Sequence, residues 1–96
     1  MIEAMTVYLI QSEDGGPIKI GHASDPHKRL GEMRVASPTH LKIIGLIEGG
    51  RETERELHQR FMKYKLRGEW FSPAPEIIQL AADSTQPGNR NRRAKG

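Results

Sequence analysis

The sequence predicts an α+β domain in which a small, mostly antiparallel sheet of three strands is flanked by helices, in the order β-β-α-β-α-(β)-α. Two apolar runs border a turn rich in glycine and proline, which is typical of a hairpin. A proline-led helix start follows the hairpin, and an apolar run and an amphipathic segment come later. The chain of 96 residues has room for one domain, which we place at residues 1–83.

The hairpin is predicted from its residue pattern. Residues 5–10 are mostly apolar and partly β-branched, and the turn cluster at residues 12–17 separates them from a second strand that begins at Ile18. Because successive strand residues point to opposite faces of a sheet, Tyr8 and Lys19 are expected to share the face away from the core.

The first helix is predicted from its start signal. Ser24 or Asp25 can cap it, and Pro26 suits the first helical position. A glycine in a helix costs about 1 kcal/mol relative to alanine, so Gly31 favours a short helix. Pro38 marks the latest position at which this helix can end.

The middle of the chain predicts a strand and a helix. Residues 41–47 are almost wholly apolar, so we expect them to form a central strand. Thr53 and Glu56 match a capping box, which would begin a helix. The apolar residues of that helix recur at helical spacing, namely Leu57, Phe61 and Tyr64.

The remaining segments are shorter. Residues 69–71 are interpreted as a strand stub or a packed loop, and residues 75–82 as a final short helix. The tail at residues 84–96 has little apolar content, so we expect it to be disordered on its own.

The positive charge of the chain is concentrated in this tail. Residues 1–83 carry 11 basic and 12 acidic residues, and four more basic residues follow Asp83. The pI of about 9.5 therefore reflects mainly the tail. Two interpretations of the tail stand side by side: non-specific attraction to phosphates, and a solubilising segment. Phosphate binding by the folded part must depend on a few well-placed cations.

Composition excludes several classes of protein. The chain has no cysteine, which excludes disulfides and thiolate metal sites. It has no run approaching the roughly 20 apolar residues of a membrane span, and no signal-peptide pattern at its start. We therefore expect a cytoplasmic protein with no membrane association.

Several residues around the predicted hairpin are candidates for chemistry. A phenol beside an ammonium group, as expected for Tyr8 and Lys19, suits a general base or a hydrogen-bonding group at phosphate. Gly21 permits either a positive φ or a close backbone approach. Arg29 offers a planar fork for phosphate. Considered singly, each also fits an ordinary strand aromatic, turn glycine or surface cation.

The predicted middle helix adds two further candidates. Glu54 and His58 are four residues apart and so share a helix face. A single carboxylate suits Mg²⁺, although such a pair also occurs on ordinary helix surfaces. Glu69 is expected either to orient a site residue or to satisfy a backbone donor. The other histidines lack the spacing of zinc ligands; they are His22, His27 and His40.

Taken together, these positions resemble the GIY-YIG endonuclease superfamily. Residues 7–8 (Val-Tyr) fall on its "GIY" half, and residues 19–21 (Lys-Ile-Gly) on its "YIG" half. Arg29 falls at the helix arginine of the superfamily, and Glu54 at its metal-binding glutamate.

One branch resembles the chain more closely, namely phage and bacterial proteins related to the meiotically up-regulated gene family. The shared features are the K-I-G motif at 19–21, the D-P-x-x-R-L run at 25–30, the E-x-x-L-H-x-x-F run at 54–61 and the G-E-W-F run at 68–71. The resemblance covers about residues 5–80.

The resemblance implies hydrolysis of DNA phosphodiester bonds with one Mg²⁺ or Mn²⁺ ion. Glu54 would ligate the metal, Arg29 would stabilise charge on the scissile phosphate, and Tyr8 would activate or orient the attacking water. His58 would assist as an acid, a base or a supporting group. The residues implied in substrate binding are Lys19, Gly21, Arg29 and Glu69.

Departures from the superfamily pattern keep other functions open. Lys19 replaces the second tyrosine, Met33 stands where some members carry histidine, and a late asparagine has no clear match. Two alternatives are a non-catalytic nucleic-acid-binding module and a phage-encoded protein-interaction factor on the same fold. Because a small domain offers little surface for sequence readout, a homodimer or a protein partner are further expectations.

Overall fold

The computed structural model describes residues 4–85, which form a five-stranded antiparallel sheet and three α-helices. This confirms the α+β prediction: the strand stub expected within residues 69–71 is present, and one further short strand is added. In chain order the elements are β1 (Thr6–Ser12), β2 (Ile18–Ala23), α1 (Pro26–Ala36), β3 (Leu41–Glu48), α2 (Arg51–Arg60), β4 (Lys65–Arg67), β5 (Trp70–Phe71) and α3 (Pro75–Thr85). The strand order across the sheet is β3-β1-β2-β5-β4.

The β1–β2 hairpin separates two apolar clusters, one on each face of the sheet. In the register, Tyr8 lies opposite Gly21 and Ile10 lies opposite Lys19. One face packs strand residues against α2 and α3; its buried members include Val7, Leu9, Ile18, Ile20, Leu57 and Phe61. The other face packs β1 and β3 against α1; its buried members are Tyr8, Ile10, Leu30 and Leu41. The prediction that Tyr8 and Lys19 share a face is therefore confirmed, but the expectation that this face lies away from the core is wrong, because α1 covers it and buries Tyr8.

The start of α1 agrees with the sequence, whereas the start of α2 does not. Asp25 caps α1 by accepting a hydrogen bond from the Lys28 backbone N–H at 3.1 Å. The capping box predicted at Thr53 is wrong, because α2 begins at Arg51, three residues before the predicted start, and its N-cap, Gly50, makes no side-chain capping bond. Thr53 instead packs against Gly49, whose φ of +136° provides the sharp turn into the helix.

The prediction that the third strand is central is wrong, because β3 lies at an edge of the sheet. Its apolar sequence has another cause: helices cover both of its faces. On one side, a Cβ at Gly45 would lie 2.8 Å from the Cα of Ala81 in α3. On the other side, Arg34 of α1 donates a hydrogen bond to the Leu41 carbonyl at 2.9 Å.

The C-terminal part differs from the prediction in length and in one strand. A single 3₁₀ turn at Met62–Tyr64 follows α2, and β4 then pairs with β5. Strand β4 was not predicted, because all three of its residues are exposed and show no buried alternation. Helix α3 continues to residue 85, and the rest of the predicted tail, residues 86–96, lies outside the described residues. None of the helices within residues 4–85 is long and apolar enough to cross a membrane.

Candidate functional site

The close contact between Tyr8 and Gly21 is the centre of a polar group on the α1 face. The Tyr8 side chain is only 2% exposed, and it lies over Gly21 on the neighbouring strand. A Cβ at Gly21 would be 2.5 Å from the Tyr8 hydroxyl oxygen and 2.6 Å from its Cζ. Gly21 does not have a positive φ. A glycine at this position is therefore explained by the close approach of the Tyr8 ring and not by a positive φ.

Arg29 joins this group from the first turn of α1. A hydrogen bond to the Tyr8 hydroxyl, and the charge interaction with it, raise the pKa of the Arg29 guanidinium above its already high value. The side chain is 51% exposed, and its only ion-pair partner among the described residues is Glu32, at 3.5 Å. The guanidinium therefore presents a fixed positive charge to solvent beside a buried phenol.

Lys19 and Glu69 complete the group. The Lys19 ammonium lies 3.1 Å from Oε1 of Glu69 and 5.5 Å from the centre of the Trp70 ring. The same Glu69 oxygen lies 3.1 Å from where a Cβ of Gly21 would be, so the carboxylate borders the Tyr8 contact. Both roles expected of Glu69 are present, because its side chain orients Lys19 and its carbonyl accepts a hydrogen bond from the Ile20 N–H at 2.9 Å.

A second polar group lies on the α2 face and is centred on Glu54. One carboxylate oxygen of Glu54 is hydrogen-bonded to Nδ1 of His22, and the other lies 3.5 Å from Nε2 of His58. That Nε2 is also 2.9 Å from the Ile20 carbonyl. Carboxylates and carbonyls only accept hydrogen bonds, so both of these ring nitrogens carry protons. With 14% of its side chain exposed, Glu54 is a shielded carboxylate held by two imidazoles.

Sequence reasoning missed His22, which contacts Glu54 although 32 residues separate them. Zinc-ligand spacing is a pattern along the chain, whereas this contact joins a strand to a helix that is distant in sequence. A usable signal was present in the strand alternation. Because Ile18 and Ile20 face the core, His22 must face it as well, toward the helix that carries Glu54.

The two groups approach one short stretch of β2, residues 20–22, from opposite faces of the sheet. Strand β5 pairs only with Ile18 and Lys19, so the outer edge of β2 beyond Ile20 has no pairing strand within residues 4–85. The Ile20 N–H and carbonyl both point to that edge, where they meet Glu69 and His58. The edge is therefore the place that both groups border.

Among the residues that the structure describes, Glu54 offers a divalent ion one carboxylate and no cluster of protein ligands around it. Each of its oxygens keeps a lone pair besides the one facing an imidazole, and carboxylate oxygen is the donor that Mg²⁺ prefers. Within the described part of the chain, no group of three or more His, Asp or Glu side chains is arranged as metal ligands. The donor set therefore suits an ion that keeps most of its water molecules.

Comparison with known proteins gives one finding. The T5orf172 domain, a domain found in phage and bacterial endonuclease-like proteins, matches residues 5–85. This range includes both polar groups and almost every described residue. No curated protein and no solved structure matches the sequence significantly.

Proposed function

We propose that this chain, which belongs to the T5orf172 domain family, binds DNA in the cytoplasm and hydrolyses its phosphodiester bonds with the help of a divalent metal ion. We further assign it to the K-I-G branch of the GIY-YIG superfamily. The family's occurrence in endonuclease-like proteins supports the general nuclease-like role.

The single observation that carries the proposal is the convergence of Tyr8, Arg29 and Lys19 around Gly21. The phenol ring covers Gly21, the Arg29 guanidinium lies beside the phenol hydroxyl, and Glu69 holds the Lys19 ammonium at the border of this contact. A phosphate oxygen needs such donors, and the fork of arginine suits it best. Charge that develops on the scissile phosphate would be stabilised by the Arg29 guanidinium.

Tyr8 and Lys19 take different parts in this scheme. The Tyr8 hydroxyl is fixed by burial of its ring and by Arg29, so it can orient a water molecule for in-line attack. Because Lys19 already forms an ion pair with Glu69, it acts as a positive charge at phosphate rather than as a base. Lys19 stands where the superfamily pattern has a tyrosine, and its ammonium would therefore serve substrate binding.

Glu54 would hold the metal ion at the other side of the β2 edge. When bound, such an ion supplies Lewis-acid stabilisation of a phosphate oxygen. His22 donates a hydrogen bond to one oxygen of the Glu54 carboxylate, and the His58 ring lies 3.5 Å from the other, so the two imidazoles would orient the carboxylate. His58 is also anchored on the Ile20 carbonyl, which fixes its ring at the edge of β2.

A plasmid cleavage assay tests the proposal. Purified protein is incubated with supercoiled DNA and Mg²⁺ or Mn²⁺, and nicked and linear products are measured. We expect Arg29→Gln and Glu54→Gln to lower the cleavage rate by about 10²–10³-fold, the usual loss when a group that stabilises transition-state charge is removed. Circular dichroism checks that both variants are folded.

Matched controls are available beside each residue. Lys28 and Glu52 are exposed neighbours of Arg29 and Glu54 on the same helix turns, so Lys28→Gln and Glu52→Gln should cleave at the wild-type rate. Cleavage that continues without divalent metal, or full activity in Arg29→Gln or Glu54→Gln, would contradict the proposal.

A second function, binding of nucleic acid without cleavage, is favoured by one specific observation. Both Glu54 oxygens already face imidazoles, and Glu54 lies on the sheet face opposite Tyr8. Under this alternative, wild type binds DNA but does not cut it with either metal, and Glu54→Gln binds as tightly as wild type. Arg29→Gln would still weaken binding, because its contact is with phosphate.

A further inference from the structure

A pocket of about 390 Å³ opens on the α1 face of the sheet, beside the Tyr8 group. Its wall is largely apolar, with Trp70, Leu66, Leu41 and Pro17 among its lining residues, and Arg67 supplies a positive charge. None of the described residues that line it is acidic. Its volume is near the lower end of the roughly 300–1,000 Å³ typical of small-molecule sites, which suits one planar group rather than a duplex.

Direct contacts connect this pocket to the candidate site. Lys19 lies opposite Trp70 in the β2–β5 register, and its ammonium lies 5.5 Å from the Trp70 ring centre. The same ammonium pairs with Glu69, whose carboxylate borders Gly21 and Tyr8. A ligand held at Trp70 is therefore separated from the Tyr8 hydroxyl by only one ion pair.

The surroundings of the pocket favour a polyanion. The segment from residue 57 to residue 68 contains no acid and four exposed basic residues, namely Arg60, Lys63, Lys65 and Arg67. Within residues 4–85, none of the four forms an ion pair. Two of them lie on β4, the outermost strand, where phosphates can approach without displacing an internal partner.

We propose that this pocket binds an unpaired nucleobase of the DNA substrate, with the base on Trp70 and Leu66 and the adjoining phosphate on Arg67. The inference rests on the proposed function, because it places a single-stranded or distorted stretch of substrate next to Tyr8 and Arg29. Aromatic side chains stack on any base, and a nearby basic strand follows the backbone. The substrate class is thus DNA with unpaired bases near the cleavage point.

Binding is measured in EDTA, so that no cleavage occurs, with a short labelled oligothymidylate and a duplex of the same length. Trp70 is the only tryptophan in the chain, so its fluorescence reports directly on the pocket. We expect the unlabelled single strand to quench this fluorescence. We also expect it to bind more tightly than the duplex by anisotropy.

Substitutions separate stacking from packing. Trp70→Leu keeps an apolar side chain without a π face, and should weaken binding of the single strand by about 5- to 150-fold, the range for one stacked base. Trp70→Phe should stay within about fivefold of wild type. Leu66→Ser should weaken binding, whereas Met62→Ser, an exposed apolar residue outside the lining, should not.

The outcomes separate the pocket from the hydrolysis. If Trp70→Leu loses binding and wild type cleaves DNA with neither metal, the base-binding pocket is supported and the nuclease activity is refuted. If wild type cleaves DNA but shows no quenching, and wild type, Trp70→Leu and Met62→Ser bind with equal affinity, the nuclease activity is supported. The base-binding pocket is then refuted. Equal weakening in Trp70→Leu and Trp70→Phe also overturns the proposal, since the aromatic ring would then have no role.

Discussion

Replacing Gly21 by alanine tests the close packing on which the candidate site is built. The added Cβ would lie 2.5 Å from the Tyr8 hydroxyl oxygen, 2.6 Å from its Cζ and 3.1 Å from Oε1 of Glu69. Glu69 can move, because its side chain is 41% exposed, but the Tyr8 ring is buried and has no comparable freedom. The substitution therefore forces either Tyr8 or the β1–β2 backbone to shift.

The size of the effect follows from two opposing terms. Overpacking of a buried contact typically costs about 1–3 kcal/mol, and a clash with two ring atoms belongs in the upper part of that range. Alanine in a strand regains about 0.5–1 kcal/mol of the backbone entropy that glycine loses on folding. The net destabilisation is then about 1–2 kcal/mol, which for a domain of this size corresponds to a melting temperature lowered by about 4–16 °C.

The assay is urea unfolding followed by circular dichroism, with a matched glycine as control. Gly31 has open space around its Cβ position and no positive φ, so Gly31→Ala should stabilise α1 by about 1 kcal/mol. The same chemical change is thus expected to have opposite signs at two positions. In a Tyr8→Leu background, which removes the ring, Gly21→Ala should cost little or nothing.

Two results would refute this reasoning. One is a Gly21→Ala protein as stable as wild type, which would mean that Tyr8 does not lie over the glycine. The other is an equal loss of stability in the presence and absence of the Tyr8 ring. In that case, the cost would come from the strand itself and not from the contact.

Two further predictions concern a helix cap and a tyrosine. Asp25→Ala should destabilise the protein by about 0.5–2 kcal/mol, because it removes the cap at the Lys28 N–H. Thr53→Ala should not cause this destabilisation, because Thr53 makes no capping bond. Urea unfolding gives the free energy of unfolding of both variants. The hydrogen bond to Glu76 raises the pKa of Tyr64 above 10.0. This hydrogen bond therefore contributes its full stabilisation below pH 10, and the contribution is lost as pH rises through the folded-state pKa of Tyr64. Titration by ultraviolet absorbance should show this pKa falling toward 10 in Glu76→Gln.

Much of the fold followed from the sequence because its signals are local. The alternation in β1 and β2 was strong enough to place Tyr8 and Lys19 on one face, and the start of α1 at Asp25 has an unambiguous chemistry. The prediction for β3 failed for a non-local reason. A strand covered on both faces by helices is apolar whether it lies in the centre or at the edge, so composition alone does not determine its position.

The sequence singled out residues that lie near one another in the structure, but it did not indicate their arrangement. Arg29 lies near enough to the Tyr8 hydroxyl for its pKa to be raised, and Glu54 and His58 lie 3.5 Å apart on α2. What the pattern did not indicate is that Glu54 and Tyr8 lie on opposite faces of β2. That separation depends on how α2 packs against the sheet, which in turn depends on contacts such as His58 with Ile20, 38 residues apart.

The pairing of β2 with β5 explains why two separate motifs of the sequence belong together. Lys19 of the K-I-G run lies opposite Trp70 of the G-E-W-F run, and its ammonium is held between the Trp70 ring and the Glu69 carboxylate. A long lysine side chain loses conformational entropy when it is fixed in place, and two neighbouring partners, one in the turn before β5 and one on β5, offset that cost. A lysine at position 19 therefore needs Glu69 and Trp70 to hold its charge beside Gly21. The two motifs are thus one structural unit, and replacing either partner should free Lys19 from its fixed position.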